Sequence, residues 1–331
     1  MIRAEWQSPG AKYLAAPPLF DPAQGQTVRE PLDSGPGWWA GAPSALYDAE
    51  SEKFYLYYRL RKPRELGRGV NCRLAASDDG LHFEDIWQAD KEALHSPSVE
   101  KSCITRAADG AFRLYISFVD GETNKWRIDV MEADRPDDFD ASRRTKVFTA
   151  DDLGLEGIKD PVVLSIGGLY HMIVSYAPSA SAPSEGERET MHATGDVYNT
   201  GIVKSHTGLA TSEDGLSWRW EGDILSPPDE GWDCYCTRIG SVLYQPPVFL
   251  GFYDGSASVE ENYEEKAGLA ISYDLRSWRR ITTGGPWVTS PHGCIRYIEV
   301  VPVDDAVYYY YEYTREDGSH ELRVCTAGNG Q

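Results

Sequence analysis

The sequence lacks several features that would place it in a common class of protein. No run of 18 apolar residues occurs, so we expect no membrane span. The first residues contain no apolar segment of the kind that a secretory signal requires. Basic residues are scarce, with 32 Lys and Arg against 52 Asp and Glu, which gives a net charge of −20. Because so acidic a chain repels phosphate backbones and anionic lipids, we expect neither nucleic acid nor a membrane surface as a partner.

Sequence motifs that bind metals or cofactors are also missing. The six cysteines form no Cys-x-x-Cys pair, and no histidine lies at zinc-finger spacing, so we expect no metal site. The chain has neither a glycine-rich phosphate loop nor a Gly-x-Ser-x-Gly nucleophile turn, and we expect no cofactor. Without a secretory signal, the cysteines are expected to be free thiols in the cytoplasm.

What the sequence does contain is a repeat. A tyrosine-rich, hydrophobic strand recurs five times, and successive copies lie 58, 58, 78 and 59 residues apart. The equivalent positions are Tyr57, Tyr115, Ile173, Gly251 and Tyr310. The longer step contains an insertion from Ala177 to about Lys204, and long loops in compact folds often contact substrate. Such a period is typical of an architecture built from repeated supersecondary units.

Each copy is flanked by further strand signals. A short apolar segment precedes it, and a strand with a polar turn such as Ser77-Asp-Asp-Gly80 follows in most copies. Three strands and room for a fourth predict an all-β protein, a five-bladed β-propeller with four-stranded antiparallel blades. We expect residues 1–331 to form one domain, in which the N-terminal extension 1–36 can close the last blade.

The starts of the predicted inner strands carry charged residues. Counting back from the repeat positions gives one register around a common mouth: Ala42, Glu100, Asp160, Arg238 and Arg296. Buried charges need a partner or a function. Glu100 and Asp160 are either a catalytic carboxylate pair or structural ion-pair partners of the two arginines. We expect at least one of the arginines to remain available for an anionic group of a ligand.

Other residues could complete a saccharide site. Asp233, before the inner strand of blade four, is a third candidate catalytic carboxylate. The remaining candidates for substrate binding, which are as compatible with packing or surface roles, are Trp39, Trp232, Asp254, Glu261 and His292.

These segments resemble a known clan of proteins. The Ser-x-Asp-Gly-x-x-Trp turns, Lys159-Asp160-Pro161 and the tyrosine-rich strands resemble the five-bladed propeller glycosidases: the arabinanase and xylosidase family, the invertase family and the mannoside phosphorylases. Ser98-Val-Glu-Lys and Tyr253-Asp-Gly also resemble a bacterial branch described only as glycosyl-hydrolase-like. The resemblance covers nearly the whole chain after residue 36.

The resemblance implies roles for three positions. It matches Asp160 to the clan's second Asp, which tunes the acid, and Glu100 in residue type to the acid, although one blade earlier. In hydrolases of the clan, an inner-strand Asp of blade one is the base or nucleophile, and here that register holds Ala42. Either the roles are reassigned or catalysis is lost.

The sequence therefore predicts a glycoside hydrolase that acts on a small saccharide by a two-carboxylate, inverting mechanism. Glu100 would be the general acid, its pKa raised by burial near Asp160, and Asp160 or Asp233 the base. Two alternatives stay open. One is a non-catalytic carbohydrate-binding propeller, and the other is a phosphorylase in which Arg238 and Arg296 hold phosphate.

Overall fold

A computed structural model describes residues 20–328, which form twenty β-strands. A first strand, β1 (Gln26–Arg29), precedes the repeats. The next four are β2 (Trp39–Asp48), β3 (Lys53–Arg61), β4 (Gly69–Ser77) and β5 (Glu84–Asp90). Then follow β6 (Cys103–Arg106), β7 (Phe112–Val119), β8 (Trp126–Ala133) and β9 (Thr145–Thr149).

The second half of the chain continues in the same way. The third repeat contains β10 (Gly157–Ile166), β11 (Leu169–Ala177), β12 (His206–Ser212) and β13 (Arg219–Leu225). The fourth contains β14 (Cys236–Gln245), β15 (Val248–Ser256), β16 (Lys266–Ser272) and β17 (Arg279–Arg280). The last strands are β18 (Ile295–Val303), β19 (Ala306–Thr314) and β20 (His320–Gly328).

Helices are few and short in the described part of the chain. The α-helices are α1 (Ala150–Leu153) and α2 (Glu185–Thr190). The 3-10 turns are Pro22–Gln24, Arg64–Leu66, Lys91–Leu94, Pro136–Asp138, Val197–Asn199 and Val259–Glu261. Among residues 20–328, no helix is long and apolar enough to cross a membrane. The prediction of an all-β protein is confirmed.

The strands pair antiparallel in five groups of four. Four groups follow chain order, β2–β5, β6–β9, β10–β13 and β14–β17, and the fifth joins β18, β19 and β20 to β1. Single parallel pairs, Lys266 with Ile295 and Trp39 with His320, link the first, fourth and fifth groups into one twelve-stranded mixed sheet. Along its strand order that sheet is not closed on itself. The predicted four-stranded antiparallel units are present, and their arrangement as propeller blades stays a prediction.

Neighbouring groups share hydrophobic cores, and the fifth group packs on the first. Each core combines second and third strands of two groups, for example Leu74 with Ile116, and Leu56 with Tyr310. The first strands β2, β6, β10, β14 and β18 contact one another in that order, and β18 also contacts β2. Because the tyrosine-rich second strands have neighbours on both faces, they are apolar without alternation. Polar side chains on the first strands are thereby collected at the centre.

The predicted polar turns form as expected. Ser77 Oγ accepts a hydrogen bond from the Gly80 N–H at 2.9 Å, and Asp79 Oδ1 accepts from the Leu81 N–H at 2.8 Å. The same pattern recurs at Asp214 and Asp274. Side-chain acceptors of this kind satisfy the backbone donors of the turn and fix where the next strand begins.

The predicted register of two inner strands is wrong by one residue. Strand pairing places Gly41 opposite Arg59 and Lys159 opposite Ser175, level with Arg238 and Arg296 in their own groups. Ala42 and Asp160 come one residue later, where a β-bulge interrupts the pairing. Both have left-handed backbones, with φ of 53° and 56°, and so does Tyr297 at the matching bulge, with φ of 53°. Bulges of this kind redirect side chains and are frequent next to functional sites.

All six cysteines lie in the described part of the chain, and they are free thiols. Burial raises the pKa of the Cys72 and Cys236 thiols to about 12 in each case. A buried thiol with so high a pKa is an inert part of the core.

Candidate active site

A chain of alternating charges runs through the centre of the molecule. Arg59 Nε lies 2.7 Å from Glu100 Oε1, and its NH2 lies 3.2 Å from Glu312 Oε2. Arg296 joins Glu312 to Glu265, with both contacts at 2.6 Å. The members are at most 3% exposed: Arg59, Glu100, Asp160, Arg238, Asp254, Glu265, Arg296 and Glu312. Charges so deeply buried are tolerated only in such networks, which fix the geometry of the region.

Neither predicted arginine is left for a ligand. Arg238 lies 2.8 Å from Asp254, 3.4 Å from Glu265 and 3.5 Å from Asp160. Arg296 is paired equally well with Glu265 and Glu312. The expectation that Arg238 or Arg296 offers a free guanidinium is therefore wrong, because second-strand and loop carboxylates, which the inner-strand register could not reveal, occupy both.

Unpaired donors belong instead to Arg59 and Arg61, which the sequence analysis missed, and to Trp39, one of its candidates for substrate binding. Arg59 NH1 and Arg61 Nε have no hydrogen-bond partner among the described residues, and the same holds for Trp39 Nε1. Trp39 is 8% exposed, and the Arg61 and Arg296 guanidinium carbons lie 4.9 and 5.0 Å from its ring centre. Arginine at alternate positions of an otherwise aromatic strand was the available signal for Arg59 and Arg61. Trp39 thus lies in the central site.

Glu100 is held as a carboxylate. Burial alone would raise its pKa, but the guanidinium groups of Arg59 and Arg61 hold the pKa of Glu100 well below its ordinary value. Arg61 NH1 lies 3.3 Å from Oε2, so each oxygen faces a cation. The predicted role of Glu100 as a proton donor with a raised pKa is wrong for this arrangement.

Asp160 differs from Glu100 in its surroundings. It is fully buried, and neither carboxyl oxygen has a hydrogen-bond partner among the described residues. Lys159 Nζ and Arg238 NH1 lie 3.3 and 3.5 Å from Oδ2. Burial raises the pKa of Asp160, the charge of Glu100 acts in the same direction, and Lys159 and Arg238 offset them only partly. An unsatisfied, strained and protonatable carboxyl is the kind of group that active sites retain.

Tyr297 and Asp254 complete the centre. The Tyr297 ring centre lies 4.3 Å from the Arg238 guanidinium carbon and 5.2 Å from that of Arg296. The Tyr297 N–H donates to Asp254 Oδ1 at 2.9 Å, and Arg238 holds the other oxygen. Burial raises the pKa of Asp254 to about 6. The charge of Glu265 acts in the same direction, and that of Arg238 in the opposite one. Asp254 is therefore part of the network, with both oxygens engaged.

Four other predicted residues make contacts of their own. Asp233 accepts from the Tyr253 hydroxyl at 2.8 Å, and Trp232 donates to the Thr282 carbonyl at 2.7 Å. Glu261 caps the Ala257 N–H at 3.0 Å. His292 lines a separate surface cavity of about 400 Å³. Within residues 20–328, we find no hydrogen bond or ion pair from any of these four to Glu100 or Asp160.

One cluster has the composition of a metal site. Glu264, Cys294 and His320 bring a carboxylate, a thiol and an imidazole within 4.8 Å of one another. However, His320 Nδ1 lies 2.7 Å from Glu312 Oε1 and Nε2 lies 3.0 Å from Glu264 Oε1. Both ring nitrogens thus face carboxylate oxygens, as a hydrogen-bonded imidazolium requires. The donor set does not need a metal to explain its geometry.

Comparison with solved structures identifies proteins of the same fold. A glycosyl hydrolase from Bacteroides ovatus superimposes with a TM-score of 0.60 and 17% identity, over 95% of this chain and 96% of that one. The β-1,2-mannobiose phosphorylase from Listeria innocua gives 0.59 and 14%, over 90% and 92%. A GH130 protein from a study of glycoside hydrolases that target β-1,2 mannosidic linkages in Candida mannan gives 0.58 and 17%, over 92% and 95%. No protein-family model and no curated protein matches the sequence. At these identities the similarity establishes a shared fold.

Proposed function

We propose that this protein is a glycoside hydrolase acting on a small saccharide, and that its five groups of strands are the blades of a propeller around the active site. The observation that carries the proposal is the Asp160 carboxyl, which is buried, strained, unpaired by hydrogen bonds and raised in pKa beside the ionised Glu100. Glycosidic cleavage uses two carboxyl groups whose environments move their pKa values apart, as the surroundings of Glu100 and Asp160 do. The fold shared with glycoside hydrolases and mannoside phosphorylases supports the same class of reaction.

The environments suggest roles opposite to those predicted from the sequence. Asp160 would donate its proton to the glycosidic oxygen as the bond to the anomeric carbon breaks. Glu100 would remain ionised and stabilise the positive charge that develops on the sugar ring, and the Asp160 carboxylate left by the first step would accept a proton from the attacking water. Arg59 and Arg61 keep Glu100 in that state.

The proposal is tested with Asp160→Asn on a panel of 4-nitrophenyl glycosides and β-1,2-mannobiose. Removing a general acid should lower kcat on β-1,2-mannobiose by about a hundredfold or more, whereas 4-nitrophenolate leaves without a proton and should show a much smaller effect, so the rate on the disaccharide decides. The control is Asp48→Asn, a buried aspartate at the far end of β2 whose carboxylate pairs with Arg106 at 2.7 Å; it should keep the wild-type rate. A wild-type rate for Asp160→Asn would refute the assignment, and loss of activity in Asp233→Asn alone would transfer it to Asp233.

A phosphorylase is the second candidate, and the unpaired nitrogens favour it. Arg59 NH1, Arg61 Nε and Trp39 Nε1 are three buried donors without acceptors, which a phosphate or a carboxylate could satisfy. This replaces the predicted use of Arg238 and Arg296. Phosphate-dependent turnover that is lost in Arg61→Gln would favour phosphorolysis. Binding without turnover, with or without phosphate, would instead indicate a carbohydrate-binding protein.

A further inference from the structure

We propose that the Tyr198 hydroxyl, supplied by the insertion in the third repeat, binds the substrate beside Asp160. The proposal rests on the proposed function and adds to it a substrate-binding residue from outside the inner strands. It makes the insertion, rather than the repeated strands, a determinant of which saccharide is accepted.

The insertion is fixed onto the central site by one buried carboxylate. Asp196 is 3% exposed and pairs with Arg68 NH2 at 3.0 Å. It also accepts hydrogen bonds from Asn199 Nδ2 at 2.9 Å, the Tyr263 hydroxyl at 2.9 Å and Trp126 Nε1 at 3.3 Å. These donors come from the first, second and fourth repeats as well as from the insertion itself. The segment around Asp196 is thus a built part of the structure.

Tyr198 follows two residues later and contacts Lys159 on β10, the strand that carries Asp160. Its ring centre lies 5.1 Å from Lys159 Nζ, and the Trp126 ring centre also lies 5.1 Å from that nitrogen. The same ammonium lies 3.3 Å from Asp160 Oδ2. The Tyr235 hydroxyl donates a hydrogen bond to the Tyr198 backbone carbonyl at 2.6 Å. The two aromatic rings therefore hold Lys159 against Asp160, which places Tyr198 next to the proposed proton donor.

The hydroxyl of Tyr198 makes no well-formed hydrogen bond: the Ser175 side chain lies near it, but Ser175 Oγ is engaged with Ser205 Oγ at 2.9 Å. The residue is 3% exposed, and its oxygen has no hydrogen-bond partner among the described residues. Phenylalanine would pack against Lys159 equally well and avoid burying an unpaired hydroxyl, which is unfavourable. A saccharide offers both donors and acceptors, so a sugar hydroxyl is the partner that the geometry lacks.

The test is Tyr198→Phe, measured on the substrate that the wild type turns over from the panel named above. We expect kcat/KM to fall about three- to tenfold, the value of one neutral hydrogen bond, with an equal or higher melting temperature, because the free protein loses no hydrogen bond and no longer buries an unpaired hydroxyl. The matched control is Tyr115→Phe. The Tyr115 hydroxyl donates to the Gly215 carbonyl at 2.7 Å in the core, so this variant should melt earlier and keep its kcat/KM.

The outcomes separate this inference from the proposed function. If Asp160→Asn is inactive and Tyr198→Phe has wild-type kinetics, the hydrolase assignment stands and the role of Tyr198 is refuted. If Tyr198→Phe loses melting temperature as Tyr115→Phe does, its hydroxyl is structural and the inference is also refuted. If the wild type neither binds nor turns over any saccharide of the panel, the proposed function fails and the inference fails with it.

Discussion

Glu100 and Arg59 form an ion pair in the interior, with Oε1 and Nε 2.7 Å apart and the arginine side chain fully buried. Arg61 contacts the other Glu100 oxygen at 3.3 Å. Arg59 keeps Glu100 ionised, and Glu100 in turn neutralises the buried charge of Arg59. A change at Glu100 should therefore affect the stability of the protein as well as its proposed activity.

Replacing Glu100 by Gln should therefore destabilise the protein strongly. Two buried guanidinium groups would lose an anion, which typically costs about 3–5 kcal/mol. Urea unfolding at pH 7 measures the effect. Asp78→Asn is the control, because Asp78 pairs with Lys53 at 2.5 Å but is 85% exposed, and such pairs contribute less than about 1 kcal/mol. If both variants lost the same small amount of unfolding free energy, Glu100 would not be needed to offset the cost of burying the two guanidinium groups.

Replacing Asp160 by Asn should raise the free energy of unfolding, whereas Glu100→Gln lowers it. The size of the effect should depend on pH. Folding raises the pKa of Asp160 above 3.8. Its contribution to stability is therefore fully present below the unfolded value and is lost as the pH rises through the folded value. The amide cannot ionise, so the stability of Asp160→Asn relative to the wild type should increase from pH 4 to pH 8. Chemical denaturation across that range tests this, and a constant difference would contradict the raised pKa.

Local patterns predicted the fold units well and the site less well. The Ser77 turn and the tyrosine-rich strands are encoded by residues close in sequence, so their prediction succeeded. The bulges at Ala42 and Asp160 shift the register by one residue, and the prolines that follow, Pro43 and Pro161, were a local signal of interrupted pairing that the register count did not use. The partners of Arg238 and Arg296 lie on second strands and loops, and such contacts between distant segments are set by packing. Asp160 was predicted because its charge at an inner strand required an explanation, and its role stays a prediction.

The Asp196 contacts predict how the insertion responds to mutation. Asp196→Ala would leave Arg68 and Trp126 without their buried acceptor, so the segment should loosen before the rest of the chain unfolds. We expect faster proteolysis within residues 177–205 and a lower kcat/KM. Glu187→Ala is the control, since Glu187 only caps α2 on the surface through Ser184. Mass spectrometry of early fragments measures the cleavage, and cuts distributed over the whole chain would contradict a local role.

The final prediction concerns His320, which lies between Glu312 and Glu264 with its ring stacked 4.8 Å from Trp39. Burial lowers the pKa of His320, but Cys294, Glu264 and Glu312 outweigh it and hold the pKa well above 6.5. A raised histidine pKa gives stability that is fully present below the unfolded value and is lost as the pH rises through the folded one.

His320→Gln should therefore be much less stable than the wild type at pH 6, and the difference should narrow towards alkaline pH. His82→Gln is the control, because that side chain is 76% exposed and such changes stay within about 0.5 kcal/mol. Urea unfolding between pH 6 and pH 10 measures both. A pH-independent deficit would contradict the raised pKa, whereas a wild type that loses stability in EDTA would indicate instead that Glu264, Cys294 and His320 hold a metal ion. The imidazolium would then be the wrong description, since a coordinated imidazole must release the proton that Glu264 otherwise accepts as a hydrogen bond.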